Sequence, residues 1–88
     1  MSTSQDNLEE LVTATSVSFT GDILHVQLSD DRGITLPLDK INWLEWLYQA
    51  TPVQRDNWSI EPGGYAIYWE DLDDGIEVMH LLGMQPLT

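Results

Sequence analysis

"TSVSFTGDILHVQLSDDRGITLPL", residues 15–38, switches between apolar and polar side chains at every second position. That is the period of a strand with one buried face. Val17 and Phe19 alternate with polar neighbours, then Leu24, Val26 and Leu28, then Ile34, Leu36 and Leu38. "TGD" and "SDDRG" separate the three runs and supply residues that accept tight or left-handed backbone. The pattern predicts a three-stranded meander.

Downstream, Asp39 can cap a helix that begins at Lys40. "INWLEWLYQA" then carries Ile41, Leu44, Leu47 and Tyr48 on one helical stripe, widened sideways by Trp43 and Trp46. "TPVQ", residues 51–54, has the form of a capping box: Thr51 at the cap, Pro52 at the first helical position and Gln54 three residues after the cap. It predicts a second short helix. Trp58 and Ile60 share one strand face, "EPGG" turns the chain, and Tyr65, Ile67 and Trp69 share the next face, which reads as a hairpin. In "EDLDDGIE", residues 70–77, five carboxylates occupy eight positions. Asp74 and Glu77 have the spacing of an acidic capping box, with Ile76, Met79 and His80 on one side of a C-terminal helix that Gly83 can end. The expected fold is therefore α+β: one small domain over residues 15–88, holding the meander, two short helices, a hairpin and a short C-terminal helix. Residues 1–14 read as a mobile or short helical arm, because Leu8 and Leu11 offer only one marginal apolar turn.

Eighty-eight residues leave room for a single core. The chain has no cysteine, which removes disulfides, thiol catalysis and thiolate-bound zinc and fits a reducing compartment. It shows no signal-peptide pattern and no apolar run near the roughly 20 residues that span a bilayer, so a cytoplasmic location is expected. Fifteen acids against three bases, Arg32, Lys40 and Arg55, give a formal net charge of −12. Such a charge repels phosphate backbones and anionic lipids, and it speeds encounter with basic proteins.

Catalytic and metal chemistries find little footing. Taking Gly75 as the glycine of a calcium loop, Glu70 and Asp74 fit, but Leu72 and Leu81 fill two of the ligand positions. His25 and His80 lack zinc-ligand spacing; His25 reads as exposed and His80 as bordering the core. Ser16, Ser18, Ser29 and Ser59 lie in strand or turn settings without a nucleophile elbow. No catalytic residue, cofactor or metal is expected. Arg55, between the capped helix and Trp58, reads as a structural staple to Asp71 or Asp73, or as a guanidinium stacked on a tryptophan. Ligand binding by Arg55 is the competing reading. Thr51, Gln54, Trp58 and Trp69 read as structural.

The stretch 33–83, "GITLPLDKINWLEWLYQATPVQRDNWSIEPGGYAIYWEDLDDGIEVMHLLG", resembles the small bacterial family called domain of unknown function 2442. The resemblance lies in Pro37 and Leu38; Ala50, Thr51, Pro52, Arg55 and Trp58; Gly64, Ile67 and Trp69; Leu72, Asp73 and Ile76; Leu81 and Leu82. It covers roughly residues 15–84. Two departures stand out: Asp31, Arg32 and Gly33 replace an Asp-Gly-Arg turn, and Leu44, Glu45 and Trp46 replace a Pro-Arg-Leu piece. The resemblance implies a small α+β fold and no assigned reaction. Some relatives carry an appended helix-turn-helix, and others are thought to lie beside the gene of a second small protein, as toxin and antitoxin pairs do; this chain has no basic recognition helix.

The expected function is a non-enzymatic, acidic protein-binding module, adaptor or antitoxin-like, that covers a basic surface of a protein partner. Glu45, Glu70, Asp71, Asp73 and Asp74 would supply the charge, with Trp43 and Trp46 as apolar anchors. The alternative is a mimic of nucleic-acid charge that occupies a DNA- or RNA-binding protein. An acid-dependent hydrolase or isomerase near Arg55 is a more distant third, and homodimerisation through an open sheet edge is a further possibility of the pattern.

Overall fold

The meander forms as its alternation dictates. The computed structural model describes residues 12–84, and in it β1 (Ala14–Thr20), β2 (Ile23–Leu28) and β3 (Gly33–Pro37) make an antiparallel sheet in the order β1-β2-β3. Val17, Val26 and Ile34 stand opposite one another, as do Phe19, Leu24 and Leu36, so the rows that alternation selects are the rows that face the core. An irregularity between Ala14 and Ser16 lets Ala14 and Val17, three apart in sequence, both turn inward. Leu24, Val26, Leu28, Ile34 and Leu36 are each at most 4% exposed. The "SDDRG" turn places its left-handed residue at Asp31, with φ of 73°. Asp30 then accepts hydrogen bonds from the Arg32 amide (3.1 Å) and its Nε (2.7 Å).

Between the sheets the chain departs from the expected continuous helix. Asp39 lies inside a 3-10 turn, Leu38–Lys40, and caps nothing; a second 3-10 turn, Asn42–Leu44, leads into α1 (Glu45–Tyr48). Ile41 interrupts the run with extended backbone, which suits a β-branched residue. The break allows Leu38, Leu44 and Leu47 all to reach full burial while Tyr48 stays partly outside. The capping box forms as read: the Thr51 hydroxyl accepts from the Gln54 amide (3.2 Å), and Gln54 Oε1 accepts from the Thr51 amide (2.9 Å), starting α2 (Pro52–Asp56).

The second half contains one strand more than expected. β4 (Trp58–Ile60) and β5 (Ala66–Trp69) form the hairpin, and β6 (Asp74–Glu77) adds to it, giving a sheet in the order β4-β5-β6. Asp74 and Glu77 therefore sit in a strand, and the C-terminal helix α3 (Val78–Met84) begins where a capping box at Asp74 had no place for it. Two causes override the acidic cap. Ile76 and Val78 are buried with Glu77 exposed between them, the period of a strand. Gly75, opposite Tyr68, also permits a close approach: a Cβ there would come within 2.5 Å of the Ile67 carbonyl oxygen. A 3-10 turn, Glu70–Leu72, followed by left-handed Asp73 (φ 51°), reverses the chain between β5 and β6.

Both sheets and α1 and α3 contribute to one cluster, with Trp69, Ile67, Leu81 and Val78 fully buried from the second half. The Ala14 amide donates to the Gly64 carbonyl (2.8 Å), joining the first sheet to the β4–β5 turn. The fold is α+β, a single small domain. Residues 1–11 of the expected arm lie outside the described residues. Its last part belongs to the fold, since Val12 is buried and Ala14 opens β1, so the domain begins before residue 15.

Candidate functional site

Among the described residues Arg55 is the one buried charged residue, 9% exposed, and it works as a clasp. Its Nε donates to the Leu47 carbonyl (3.2 Å), Nη2 to the Tyr48 carbonyl (2.9 Å) and to Asp22 Oδ1 (3.1 Å), and Nη1 to the Gly21 carbonyl (3.1 Å). The guanidinium carbon lies 5.6 Å from the centre of the Phe19 ring. One side chain thus satisfies the last carbonyls of α1 and holds them to the β1–β2 turn, a use for which a planar five-donor group is suited. In return the Arg55 carbonyl accepts from the Trp69 indole (2.9 Å), which fixes the second sheet to α2. The staple expected of Arg55 exists with other partners: Asp22 in place of Asp71 or Asp73, and Phe19 in place of a tryptophan. Gly21, with a left-handed φ of 58°, and Asp22 make up the β1–β2 turn that Arg55 reaches.

Asp71 and Asp73 have local roles instead. Asp71 accepts from the Asn57 amide group (3.0 Å), and Asp73 accepts from the Tyr68 hydroxyl (2.6 Å). The bond to Asp73, followed by desolvation and the nearby acids, pushes Tyr68 above the usual tyrosine range. With Glu70 and Asp74, these residues make an exposed acidic turn between β5 and β6. All three bases are engaged elsewhere: Arg32 with Asp30, Lys40 with Asp39 at 3.8 Å, and Arg55 with Asp22. Among the described residues, no cation pairs with the turn.

The two candidate anchors differ. Trp46 is half-buried and sets its ring edge-on to Trp69, with centroids 5.7 Å apart. Trp43 is 38% exposed and packs edge-on against His80 of α3 at 4.5 Å. Glu45 is exposed and accepts from Gln49 (3.3 Å). His80 is therefore an exposed neighbour of Trp43 and does not border the core. His25 is half-buried, with Nε2 3.0 Å from Thr20 Oγ1. Among the described residues no three His, Asp or Glu side chains converge as metal ligands, and no helix is long and apolar enough to cross a membrane. Asp22, Phe19 and His80 were not legible as partners, because each lies more than 30 residues from the side chain it meets.

Two three-stranded antiparallel sheets on a shared core, clasped by an arginine from a capped helix, define a small α+β domain of a recurring kind. The chain belongs to the family described as protein of unknown function (DUF2442), which matches residues 14–83. The chain is also similar to an uncharacterised protein from Chromobacterium violaceum, whose structure was determined by solution NMR, with 26% identity and a TM-score of 0.70. That likeness covers 93% of this chain and 74% of the other. No curated protein matches the chain.

Proposed function

We propose that the protein is a non-enzymatic binding module of the cytoplasm, adaptor or antitoxin-like, that covers a basic surface of a protein partner. The observation that carries this reading is the acidic turn left without a cation while every base of the chain is engaged elsewhere. Four exposed carboxylates within five residues repel one another, and a partner's lysines or arginines relieve that repulsion. Trp43 and the accessible part of Trp46 offer apolar contact on the same small domain, with Trp43 the more available.

The test is capture of partners by the tagged full chain from its native host, with washes at low and high salt. A basic protein retained near equal stoichiometry, and lost from a variant carrying Asp71→Asn, Asp74→Asn and Trp43→Ala, is the expected result. Capture unaffected by those substitutions refutes it. Nucleic-acid-binding proteins released by modest salt would indicate charge mimicry in its place.

A further inference from the structure

Beside the clasp lies a hollow of about 360 Å³, bounded by Phe19, Gly21, Asp22, Pro52, Arg55 and Asp56. Arg55 lines it with four of its five N–H donors already bonded, so its charge is turned toward three carbonyl oxygens and the Asp22 carboxylate. Two carboxylates, Asp22 and Asp56, line the hollow. Asp22 gives only Oδ1 to Arg55 and its side chain remains 54% exposed. Asp56, the last residue of α2, is exposed and has no cation partner among the described residues. Two carboxylates against one guanidinium leave a net negative hollow, which disfavours an anion. Phe19 and Pro52 add apolar lining, the kind of surface that the methylene stem of a long basic side chain covers well.

We infer that this hollow receives one basic side chain, an ammonium or guanidinium, of a protein partner. The inference rests on the basic-partner reading given above and adds a second, concave contact apart from the exposed acidic turn. The head group sits between Asp56 and the free oxygen of Asp22, and the stem lies on Phe19 and Pro52. Arg55 orients Asp22 and never leaves its carbonyls.

The test is an NMR titration of the isotope-labelled full chain with N-acetyl-arginine amide, with N-acetyl-lysine amide, and with the neutral N-acetyl-citrulline amide. Saturable amide shifts at Phe19, Gly21, Asp22, Arg55 and Asp56 are expected with the two cations and not with citrulline. Asp56→Asn should weaken them about three- to fivefold, the scale of one partly exposed ion pair. The variant's own spectrum reports its fold, and Asp22→Asn provides the same comparison should Asp56→Asn be poorly folded. Equal shifts with citrulline, or affinities unchanged in both variants, overturn the inference. Shifts confined to Glu70–Asp74 also overturn the hollow while leaving the basic-partner reading standing. Capture of no basic protein by the unaltered chain, or capture unaffected by the acidic-turn substitutions, with the hollow still binding the cations, removes that reading alone.

Discussion

Arg55→Met tests the clasp because methionine keeps most of the aliphatic stem and removes all the donors. The buried contact is the bond to the Leu47 carbonyl, and a buried carbonyl stripped of its donor costs about 1–3 kcal/mol. The Gly21 and Tyr48 carbonyls are partly buried and regain water, so each adds about 0.5 kcal/mol. Because Asp22 is largely exposed, that ion pair adds no more than about 0.5 kcal/mol after solvent screening. The Phe19 contact contributes about as much again. The loss is about 4 kcal/mol, a large share of the roughly 5–10 kcal/mol expected of a domain this small. In urea, followed by tryptophan fluorescence and far-ultraviolet circular dichroism, the midpoint should fall by about 2–3 M at an unchanged slope. Arg55→Lys keeps the charge and loses the fork, so it should recover less than half of the deficit. A loss below about 1 kcal/mol for Arg55→Met would mean that the carbonyls find other donors and that the clasp does not hold the two halves together.

Thr51→Ala removes one arm of the capping box and should cost about 1 kcal/mol in the same assay; no change would show that the Gln54 arm suffices. Gly75→Ala forces β6 away from the Ile67 carbonyl and should destabilise by about 1–3 kcal/mol, with loss of protected amides in β5 and β6 as the structural signature. Tyr68 should titrate above the ordinary tyrosine value in a pH series of ring-carbon spectra, and Asp73→Asn should return it toward that value. A folded-state value raised in this way contributes stability that is present below the unfolded tyrosine value and is lost as pH rises through the folded one. For Asp30, desolvation opposes ionisation, but hydrogen bonds and charge from Arg32 prevail and hold the carboxyl below its usual range. That contribution is present above the unfolded aspartate value and lost as pH falls through the folded one, so Asp30→Asn should flatten the acid limb of the stability profile below about pH 4.

The first half of the fold was legible because one physical signal, alternation, governs it. Val17, Val26 and Ile34 have no competing role, and their turns contain residues that tolerate left-handed backbone. The capping box at Thr51 was legible for the same reason: its two bonds are local, and both partners lie within four residues. The strand at Asp74–Glu77 was not, because two local signals conflict. The Asp74 to Glu77 spacing favours a helix start, and the pairing of Gly75 against Tyr68 that decides the matter is a tertiary contact. The helix expected after Asp39 failed differently: apolar spacing was right for Leu44 and Leu47, but Ile41, counted on the same stripe, takes extended backbone and breaks the run. At the site, the acids were visible as charge, whereas the true partners of Arg55 were hidden by the distance along the chain that the β1–β2 turn closes.

The reach of Arg55 also has a bearing on the order of folding. Each sheet joins strands adjacent in sequence, so both can form from short loops, whereas the bonds from Arg55 to Gly21 and Asp22 close separations of 34 and 33 residues. The bonds to Gly21 and Asp22 can lock only after both ends have been assembled, which puts those two on the native side of the transition state, whereas the bonds to Leu47 and Tyr48 span only 8 and 7 residues and can form earlier. Those two bonds to the turn then govern how long the folded molecule survives and have little hold on how fast it is made: in a chevron, their share of the Arg55→Met loss should appear on the unfolding limb.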